Sequence, residues 1–257
     1  MTLDGRRAIV TGGGRGIGRA IARGLARAGV FVTLAARTRA EVDAVAEEIR
    51  TGGGRSFASL ADVGKADDVT ALFLSARQAM GGVDLLVNAA GIALSGPLVK
   101  TADETWHAVI ETNLSGVFYT TREALPEMTG RGFGRIVNIA SIAGKTGLPY
   151  LAAYVASKHG VLGLTKVAAL ECAALGVTVN AICPGYVDTA MTESGIARIV
   201  ERTGIPSEEA RRRLEEQSPQ KRMVAPEEVA ALAVYLCGDD ARGITGQALN
   251  VDGGSLV

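Results

Sequence analysis

Seven short runs of mostly apolar residues alternate along the chain with longer stretches of helical periodicity. Most of these runs are continuously apolar, which is typical of strands covered on both faces in a parallel sheet. The strand-like runs are 7–11, 31–35, 55–60, 84–87, 135–139, 177–182 and 247–251, and the helical stretches are 17–28, 39–51, 66–80, 102–128, 153–175 and 226–237. The pattern predicts one α/β domain over residues 1–257, with a Rossmann-type doubly wound parallel sheet of about seven strands and helices on both faces.

The alternation is interrupted once, at residues 188–222, which read as helical and polar and contain no strand-like run. A solvated helical hairpin is one interpretation of this segment, and a small helical lid over a ligand pocket is the other. We favour the lid, because insertions at the carboxyl ends of strands border the ligand crevice of a doubly wound sheet.

Composition argues against several functions. Lys+Arg and Asp+Glu both number 27, so the formal net charge is zero and nucleic-acid binding through bulk positive charge is not expected. No apolar run reaches the roughly 18 residues of a membrane span, and the first residues lack the apolar core of a signal peptide. Three cysteines without a C-x-x-C pair and two histidines predict neither a disulfide framework nor a metal site. We therefore expect a cytoplasmic protein that binds neither nucleic acid nor membrane.

The first strand-like run ends in a glycine-rich turn, Thr11-Gly12-Gly13-Gly14-Arg15-Gly16-Ile17-Gly18, and a helical stretch follows it. Glycines permit a tight turn and bring backbone N–H groups close to a pyrophosphate, while the positive end of the helix dipole faces the anion. The spacing is G-x-x-x-G-x-G, which differs from both G-x-G-x-x-G and the P-loop pattern. Because a strand precedes the turn and a helix follows it, the sequence predicts a dinucleotide site.

The end of the second strand bears on which dinucleotide is bound. NAD-binding domains often carry a carboxylate there for the ribose 2′-OH, whereas Ala36 occupies the position here and is followed by Arg37 and Arg39. Arg15 lies within the glycine turn itself. Guanidinium groups without a carboxylate suit a 2′-phosphate, so the sequence predicts NADP(H). Surface arginines with no such role are the alternative interpretation.

Tyr154 and Lys158 stand four residues apart on a helical stretch, so their side chains share one face. A free phenol has a pKa of about 10, and a neighbouring ammonium lowers that pKa by stabilising the phenolate. Ser141 closes the fifth strand-like run, where its hydroxyl could hydrogen-bond a substrate oxygen at the carboxyl edge of the sheet. A Tyr–Lys pair alone also occurs on ordinary helix surfaces, and the three residues together indicate acid–base chemistry.

The motifs T-G-x-x-x-G-x-G, N-x-A-G, Ser, Y-x-x-x-K and P-G occur in this order, and together they resemble the short-chain dehydrogenase/reductase family over about residues 3–254. The resemblance implies that Ser141 holds the substrate carbonyl and that Tyr154 donates or takes the proton. It implies that Lys158 binds the nicotinamide ribose and lowers the pKa of the tyrosine. Asn113 would hold a water that links Lys158 to solvent.

The resemblance also implies a set of cofactor contacts. Asp62 and Val63 would bracket the adenine, the N-x-A-G turn would lie beside the cofactor with Ala89 in place of a second Asn, and the loop after the sixth strand would hold the nicotinamide amide. The whole implied set is Thr11, Gly12, Arg15, Gly16, Ile17, Gly18, Arg37, Asp62, Val63, Asn88, Ala90, Gly91, Tyr154, Lys158, Pro184, Gly185, Val187 and Thr189.

Several stretches are most similar to bacterial 3-oxoacyl reductases and type II polyketide ketoreductases. This similarity implies an NADPH-dependent carbonyl reductase acting on a 3-oxoacyl or polyketide-like ketone, either free or as an acyl thioester, with an acyl carrier protein as a candidate partner. Carrier-dependent relatives place basic residues beside the pocket mouth, and Arg131 matches one such position, whereas Leu175 occupies the other. An apolar substrate pocket is expected to include Leu94, Leu148, Tyr150, Tyr186 and Met191.

Three alternatives remain open. The length of segment 188–222 resembles hydroxyacyl and hydroxybutyrate dehydrogenases, which implies NAD(P)-dependent oxidation of a hydroxyacyl group or secondary alcohol. Epimerases and dehydratases of the extended branch also use Tyr and Lys, but they carry G-x-x-G-x-x-G and a further substrate domain. A catalytically silent scaffold of the same fold would usually lose Tyr or Lys, and both are present here.

The stretches around Asn113 and Tyr154 carry small and apolar residues on more than one helical face. Such a distribution is expected when one face packs within the subunit and another packs against a partner. The sequence therefore predicts a homo-oligomer, and the resemblance implies a tetramer.

Overall fold

A computed structural model of the protein describes residues 3–256; Met1, Thr2 and Val257, which the predicted domain includes, lie outside the described residues. The strands are β1 (Arg7–Thr11), β2 (Phe31–Ala36), β3 (Arg55–Leu60), β4 (Leu85–Asn88), β5 (Gly134–Ile139), β6 (Val177–Pro184) and β7 (Ala248–Val251). The helices are α1 (Gly16–Arg27), α2 (Arg39–Thr51), α3 (Ala66–Met80), α4 (Asp103–Ile110), α5 (Gly116–Gly130), α6 (Ala152–Cys172), α7 (Ala190–Thr203), α8 (Ser207–Glu215) and α9 (Pro226–Cys237).

The strands form one sheet in the order β3-β2-β1-β4-β5-β6-β7, and each neighbouring pair is parallel. Helices cover both faces: Ile21, Leu25 and Leu236 pack in the core on one side, whereas Phe73 and Met128 pack in the core on the other. The strand order reverses between β1 and β4, and ligands of doubly wound sheets bind outside the carboxyl ends of the strands at such a switch point. The predicted fold class is confirmed.

The predicted helix over 102–128 is wrong in one respect. The structure divides it into α4 and α5, and a π-helical turn, Glu111–Ser115, joins them. Within this turn the Asn113 side chain binds the backbone of the loop after β4, and π turns inside helices frequently occur at functional sites. The predicted helix over 153–175 is likewise divided: α6 ends at Cys172, and a 3₁₀ turn, Ala173–Leu175, follows it.

The segment 188–222 folds as the hairpin of α7 and α8, with its own small apolar core of Ile196, Ala210, Leu214 and Met223. Arg211 of α8 forms ion pairs with Asp188, 3.2 Å away, and with Glu193, so the second helix is fastened to the start of the first. The hairpin follows the carboxyl end of β6. Its role as a lid stays a prediction. Within residues 3–256, no helix combines the length and apolarity needed to cross a membrane.

Candidate active site

The glycine turn and the N-x-A-G turn meet at the switch point of the sheet. Thr11 Oγ1, at the end of β1, accepts hydrogen bonds from the backbone N–H groups of Ala89 and Ala90 at 3.2 and 3.3 Å. A Cβ on Gly12 would lie 2.8 Å from the Cα of Ala90, and the φ of Gly12 is +65°. Only glycine therefore permits the two turns to approach this closely.

The start of α1 is suited to an anion. The helix has no side-chain cap, no acidic residue lies in its first turn, and its backbone N–H groups at this end are the donors a pyrophosphate uses. A Cβ on Gly16 would lie 3.3 Å from Thr189 Cγ2, so the glycine turn faces the loop after β6 that the resemblance assigns to the nicotinamide. This arrangement fits a dinucleotide lying across the switch point.

A carboxylate that the sequence analysis did not single out lies beside the glycine turn. Arg15 Nη1 lies 3.4 Å from Glu41 Oε1, and a Cβ on Gly14 would lie 2.7 Å from the Cβ of Glu41. Arg39 pairs with Asp43 on α2 at 3.7 Å. These pairings reduce the positive charge that Arg15 and Arg39 offer a 2′-phosphate. Among the described residues Arg37 forms no ion pair, so it is the guanidinium left to bind such a phosphate.

The remaining predicted cofactor loops are held by hydrogen bonds from backbone N–H groups. Gly185 N–H donates to the Val251 carbonyl at 3.1 Å, and Asp188 N–H donates to the Val224 carbonyl at 3.0 Å, which fixes the loop after β6. After β3, the edge strand at the far end of the sheet from β7, Asp62 Oδ1 accepts a hydrogen bond from the Gly64 N–H at 3.1 Å. That bond shapes the turn that presents Asp62 and the buried Val63 after β3.

Ser141, Tyr154 and Lys158 converge beside the carboxyl end of β5. Ser141 follows β5 directly, is buried, and accepts a hydrogen bond from the Ala143 N–H at 3.1 Å. Tyr154 and Lys158 lie in the first two turns of α6, with the Lys158 Nζ 5.6 Å from the centre of the tyrosine ring. The structure thus brings together the three residues that the sequence singled out for acid–base chemistry.

The pKa of Tyr154 differs in direction from the expectation. Burial raises it above the ordinary value, and hydrogen bonding with Ser141 opposes the shift only in part. Desolvation of the phenolate is the largest cause of this shift. The phenol is therefore held in its protonated form at neutral pH, which suits a group that must donate a proton.

Lys158 is buried, and its Nζ donates to the Ile139 carbonyl at 2.8 Å. Burial lowers the pKa of Lys158 to about 8. An ammonium has three donors, so further acceptors such as ribose hydroxyls or water suit this position. A pKa this close to neutrality also allows Lys158 to release and regain a proton near physiological pH.

The lowered pKa of Lys158 predicts a pH-dependent stability. Between pH 8 and pH 10.5 the unfolded chain holds a proton that the folded chain has lost, so stability rises with pH across this window. From pH 7 to pH 9.5 the Lys158 contribution should rise by about 2 kcal/mol. Lys158→Met lacks this titration. Urea denaturation without cofactor measures the unfolding free energy of both proteins. The value for the variant minus that for the wild type should be most positive at pH 7 and should be smaller at pH 9.5. A difference independent of pH would contradict the assignment.

Asn113 is fully buried in the π turn and acts as a clamp. Its Oδ1 accepts from the Ile92 N–H and its Nδ2 donates to the Ile92 carbonyl, both at 2.9 Å. The same Nδ2 lies 3.1 Å from Ser157 Oγ, and that hydroxyl donates to the Tyr154 carbonyl at 2.7 Å. Asn113 therefore joins the loop after β4 to the turn of α6 that carries Tyr154. Its predicted role in holding a water stays a prediction.

A buried polar chain that the sequence did not single out runs beneath the site. Thr120 Oγ1 donates to Asn88 Oδ1 at 2.7 Å, Asn88 Nδ2 donates to Asn138 Oδ1 at 2.9 Å, and Asn138 Nδ2 donates to Thr165 Oγ1 at 2.9 Å. The chain crosses from α5 through β4 and β5 to α6 and fixes their register at the carboxyl edge. Buried Asn within otherwise apolar strands is the sequence signal that could have indicated it, because buried amides need partners.

The predicted substrate residues divide into two groups. Leu94 and Tyr150 share a small cavity of about 110 Å³ beside α6, whose lining is Leu94, Ser95, Gly96, Lys100, Thr101, Ala102, Thr105, Tyr150, Ala152 and Ala153. Tyr150 adopts a φ of +69°, unusual for a bulky residue, and its carbonyl accepts from the Gly96 N–H at 2.8 Å. Leu148 and Met191 lie outside this cavity, and Tyr186 packs against the small core of the α7–α8 hairpin.

Arg131 does not lie beside the pocket within this subunit, contrary to expectation. It stands between α5 and β5, at the amino edge of the sheet, whereas Ser141 lies at the carboxyl edge. Its guanidinium is 3.1 Å from Asp84 Oδ1 and also pairs with Glu127. Arg131 is therefore part of an ion-pair network with these two carboxylates, of which Asp84 is buried. This network gives Arg131 a structural role within the subunit.

Comparison with known proteins supports a reductase or dehydrogenase. The family described as enoyl-(acyl carrier protein) reductase matches residues 12–255. A Streptomyces coelicolor protein assigned as a ketoacyl reductase is 43% identical over 98% of both chains. A D-beta-hydroxybutyrate dehydrogenase of Cupriavidus necator is 41% identical, again over 98% of both chains. The crystal structure of an actinorhodin polyketide ketoreductase variant with NADPH matches with a TM-score of 0.95 and 43% identity, over 97% of each chain.

Proposed function

The chain belongs to the short-chain dehydrogenase/reductase family, which uses nicotinamide cofactors, and from this premise we propose that it is an NADPH-dependent reductase of a 3-oxoacyl or polyketide-like ketone. The observation that carries the proposal is the convergence of Ser141, Tyr154 and Lys158 beside the switch point of the sheet. The relatives support chemistry on CH–OH and ketone groups in general.

The nicotinamide cofactor, when bound, would supply a hydride to the carbonyl carbon. The carbonyl oxygen accepts a hydrogen bond from Ser141 Oγ and a proton from Tyr154 Oη, so the negative charge that develops on the oxygen is stabilised and then neutralised. The raised pKa of Tyr154 keeps that proton available. Lys158, with a pKa of about 8, can return a proton to the phenolate from the solvent side.

A spectrophotometric assay tests the proposal directly. Purified protein with NADPH should consume the cofactor, followed at 340 nm, when a 3-oxoacyl thioester or an aromatic polyketide mimic is added. Sugars and steroid ketones serve as the comparison panel. No NADPH consumption with any ketone of the panel would contradict the reductase function and favour a silent scaffold.

Cofactor preference gives a separate prediction. Arg37 lies exposed after Ala36 at the end of β2, so the protein should prefer NADPH to NADH by at least about 10-fold in kcat/KM, as expected for one charge-assisted contact to the 2′-phosphate. The double change Ala36→Asp with Arg37→Ser should reverse the preference, because the carboxylate accepts the ribose 2′-OH and repels a phosphate. Arg39→Ser is the control, since Arg39 pairs with Asp43. Equal kcat/KM for the two cofactors in the wild type would rule out this assignment.

The hydroxybutyrate dehydrogenase relative favours one alternative, NAD(P)-dependent oxidation of a hydroxyacyl substrate by the same residues. Oxidation requires Tyr154 as a phenolate, and burial raises the pKa of this phenol. Oxidative activity should therefore increase towards high pH, whereas reduction should be greatest at neutral pH. Measuring both directions over pH 6–10 distinguishes the two functions.

We also propose that the protein is a homotetramer in which α5 and α6 contribute to subunit contacts. Phe118 on α5 and Val167 and Leu170 on α6 are exposed apolar side chains, and Leu170 is 85% exposed. Leu170→Glu should therefore weaken assembly and lower the mass measured by sedimentation at micromolar concentration. Leu74→Glu, which changes an exposed leucine on α3, is the matched control and should not change it. A wild-type mass of 26.5 kDa in solution would contradict the proposal.

A further inference from the structure

The first helix of the α7–α8 hairpin, the predicted lid, carries two arginines that contact the loop after β4. Arg198 and Arg202 are four residues apart on α7, so they share one face of the helix. Arg198 Nη1 donates to the Ala93 carbonyl and Arg202 Nη2 donates to the Ser95 carbonyl, each at 3.0 Å. The lid is thereby joined to the loop after β4.

The acceptors of these two guanidiniums are neutral. Over residues 3–256 neither Arg198 nor Arg202 forms an ion pair, whereas the three arginines of α8 all do: Arg211 with Asp188 and Glu193, Arg212 with Glu216, and Arg213 with Glu209. A guanidinium has five N–H donors and binds carboxylate or phosphate more strongly than a carbonyl. Two adjacent guanidiniums held by single carbonyl contacts retain donors for an anion.

The position of this pair relates it to the reacting centre. The loop that binds the arginines begins at Gly91, where a Cβ would lie 3.4 Å from Asn113 Oδ1 and 3.8 Å from Lys158 Nζ. Ser95 is four residues further along, so it lies within about 14 Å of Gly91 even if the loop were fully extended. A substrate that places its ketone beside Tyr154 could therefore extend a remote group to Arg198 and Arg202.

We propose that Arg198 and Arg202 form a subsite for an oxyanion, a carboxylate or a phosphate, carried by the ketone substrate at the end remote from its carbonyl. The inference rests on the proposed reductase function and adds the substrate class. The oxyanion replaces the Ala93 and Ser95 carbonyls as the acceptor of the guanidinium N–H groups. The two guanidiniums thus exchange neutral acceptors for a charged one when substrate binds.

Two pairs of ketones test the subsite and distinguish its ligands. The first pair is 8-oxononanoate and its methyl ester, which differ in a remote carboxylate. The second is the acetoacetyl thioester of 4′-phosphopantetheine and that of pantetheine, which differ in a remote phosphate. In at least one pair the charged member should have the higher kcat/KM by about 10-fold or more, and the pair concerned identifies the anion. Added salt should reduce this preference.

The double variant Arg198→Gln/Arg202→Gln should bring the ratio of charged to neutral kcat/KM close to one. The corresponding double lysine variant, which keeps the charge without the planar fork, should retain an intermediate ratio. Arg212→Gln, on the neighbouring helix and paired with Glu216, should retain the full wild-type ratio.

Three outcomes would overturn the inference. If the glutamine variant lowers kcat/KM equally for both members of each pair, the arginines only hold the lid closed. If the wild type shows no charge preference in either pair, the subsite does not exist, and this result needs no folded variant. If none of the four ketones is reduced, the proposed function itself fails and the inference with it.

Discussion

Tyr154→Phe is expected to lower kcat for ketone reduction by about 10³-fold or more, which is about 4 kcal/mol in the activation barrier. Hydride transfer leaves an alkoxide-like oxygen, and the Tyr154 hydroxyl is the proton donor the geometry offers beside Ser141. The phenylalanine ring preserves most of the packing, including the face that lies 5.6 Å from Lys158 Nζ. NADPH binding, measured by fluorescence titration, should therefore remain close to that of the wild type.

Two further variants make this result interpretable. Tyr235→Phe removes a phenol from the outer surface of α9 and should leave kcat unchanged. Lys158→Ala should reduce both kcat and NADPH affinity, because the proposed role of Lys158 joins phenol and ribose. Turnover by Tyr154→Phe at the wild-type rate would exclude Tyr154 as the acid. A joint loss of activity and cofactor binding with an altered circular dichroism spectrum would show that the variant is misfolded, and Tyr154 would then be tested by its pH–rate profile.

The strands and most helices could be predicted from the sequence because their apolar periods are set locally. The runs 7–11 and 55–60 and the stretches 39–51, 66–80 and 226–237 match their elements residue for residue. The doubly wound parallel sheet could be predicted from the strand–helix alternation, since right-handed crossovers leave few topologies available. The proximity of Ser141 to Tyr154 and Lys158 then follows from the fold.

Features that depend on tertiary contacts could not be predicted from the sequence. In the π turn at Glu111–Ser115, Asn113 binds Ile92, which lies 21 residues earlier in the chain. The pairing of Arg15 with Glu41 depends on how α2 packs against the glycine turn. Arg131 was misplaced because a match by position in the chain does not show at which edge of the sheet a residue lies. In each case a long-range partner, absent from local periodicity, determines the role.

The pKa of Tyr154 also depends on tertiary packing that could not be predicted from the sequence. The i, i+4 spacing correctly brings Lys158 close to the phenol, and the coulombic argument alone then predicts a lowered pKa. Burial of the phenol raises it instead, and the extent of burial depends on packing around the cleft rather than on the helix. The cofactor that the site fits is expected to alter this balance when it binds.

Gly18→Ala is expected to raise the Kd for NADPH by about 100-fold and to lower Tm, because overpacking against fixed backbone costs about 3 kcal/mol. A Cβ on Gly18 would lie 2.2 Å from the Gly12 carbonyl oxygen and 2.7 Å from its carbonyl carbon. Gly12 cannot move away from the added methyl group, because its Cα faces the Ala90 backbone. The φ of Gly12 is +65°, a conformation that favours glycine. The added methyl must therefore push the turn away from the start of α1, where the pyrophosphate would bind.

The matched control for this prediction is Gly130→Ala, at the exposed end of α5. A Cβ there would meet no atom within 4 Å, and the residue is helical, so alanine should be neutral or stabilise the protein by up to about 1 kcal/mol. NADPH titration and thermal unfolding of both variants give the comparison. If Gly18→Ala binds NADPH as tightly as Gly130→Ala does, the glycine turn does not hold the pyrophosphate. If both variants lose stability equally, the close approach of Gly18 to Gly12 is not what requires glycine at this position.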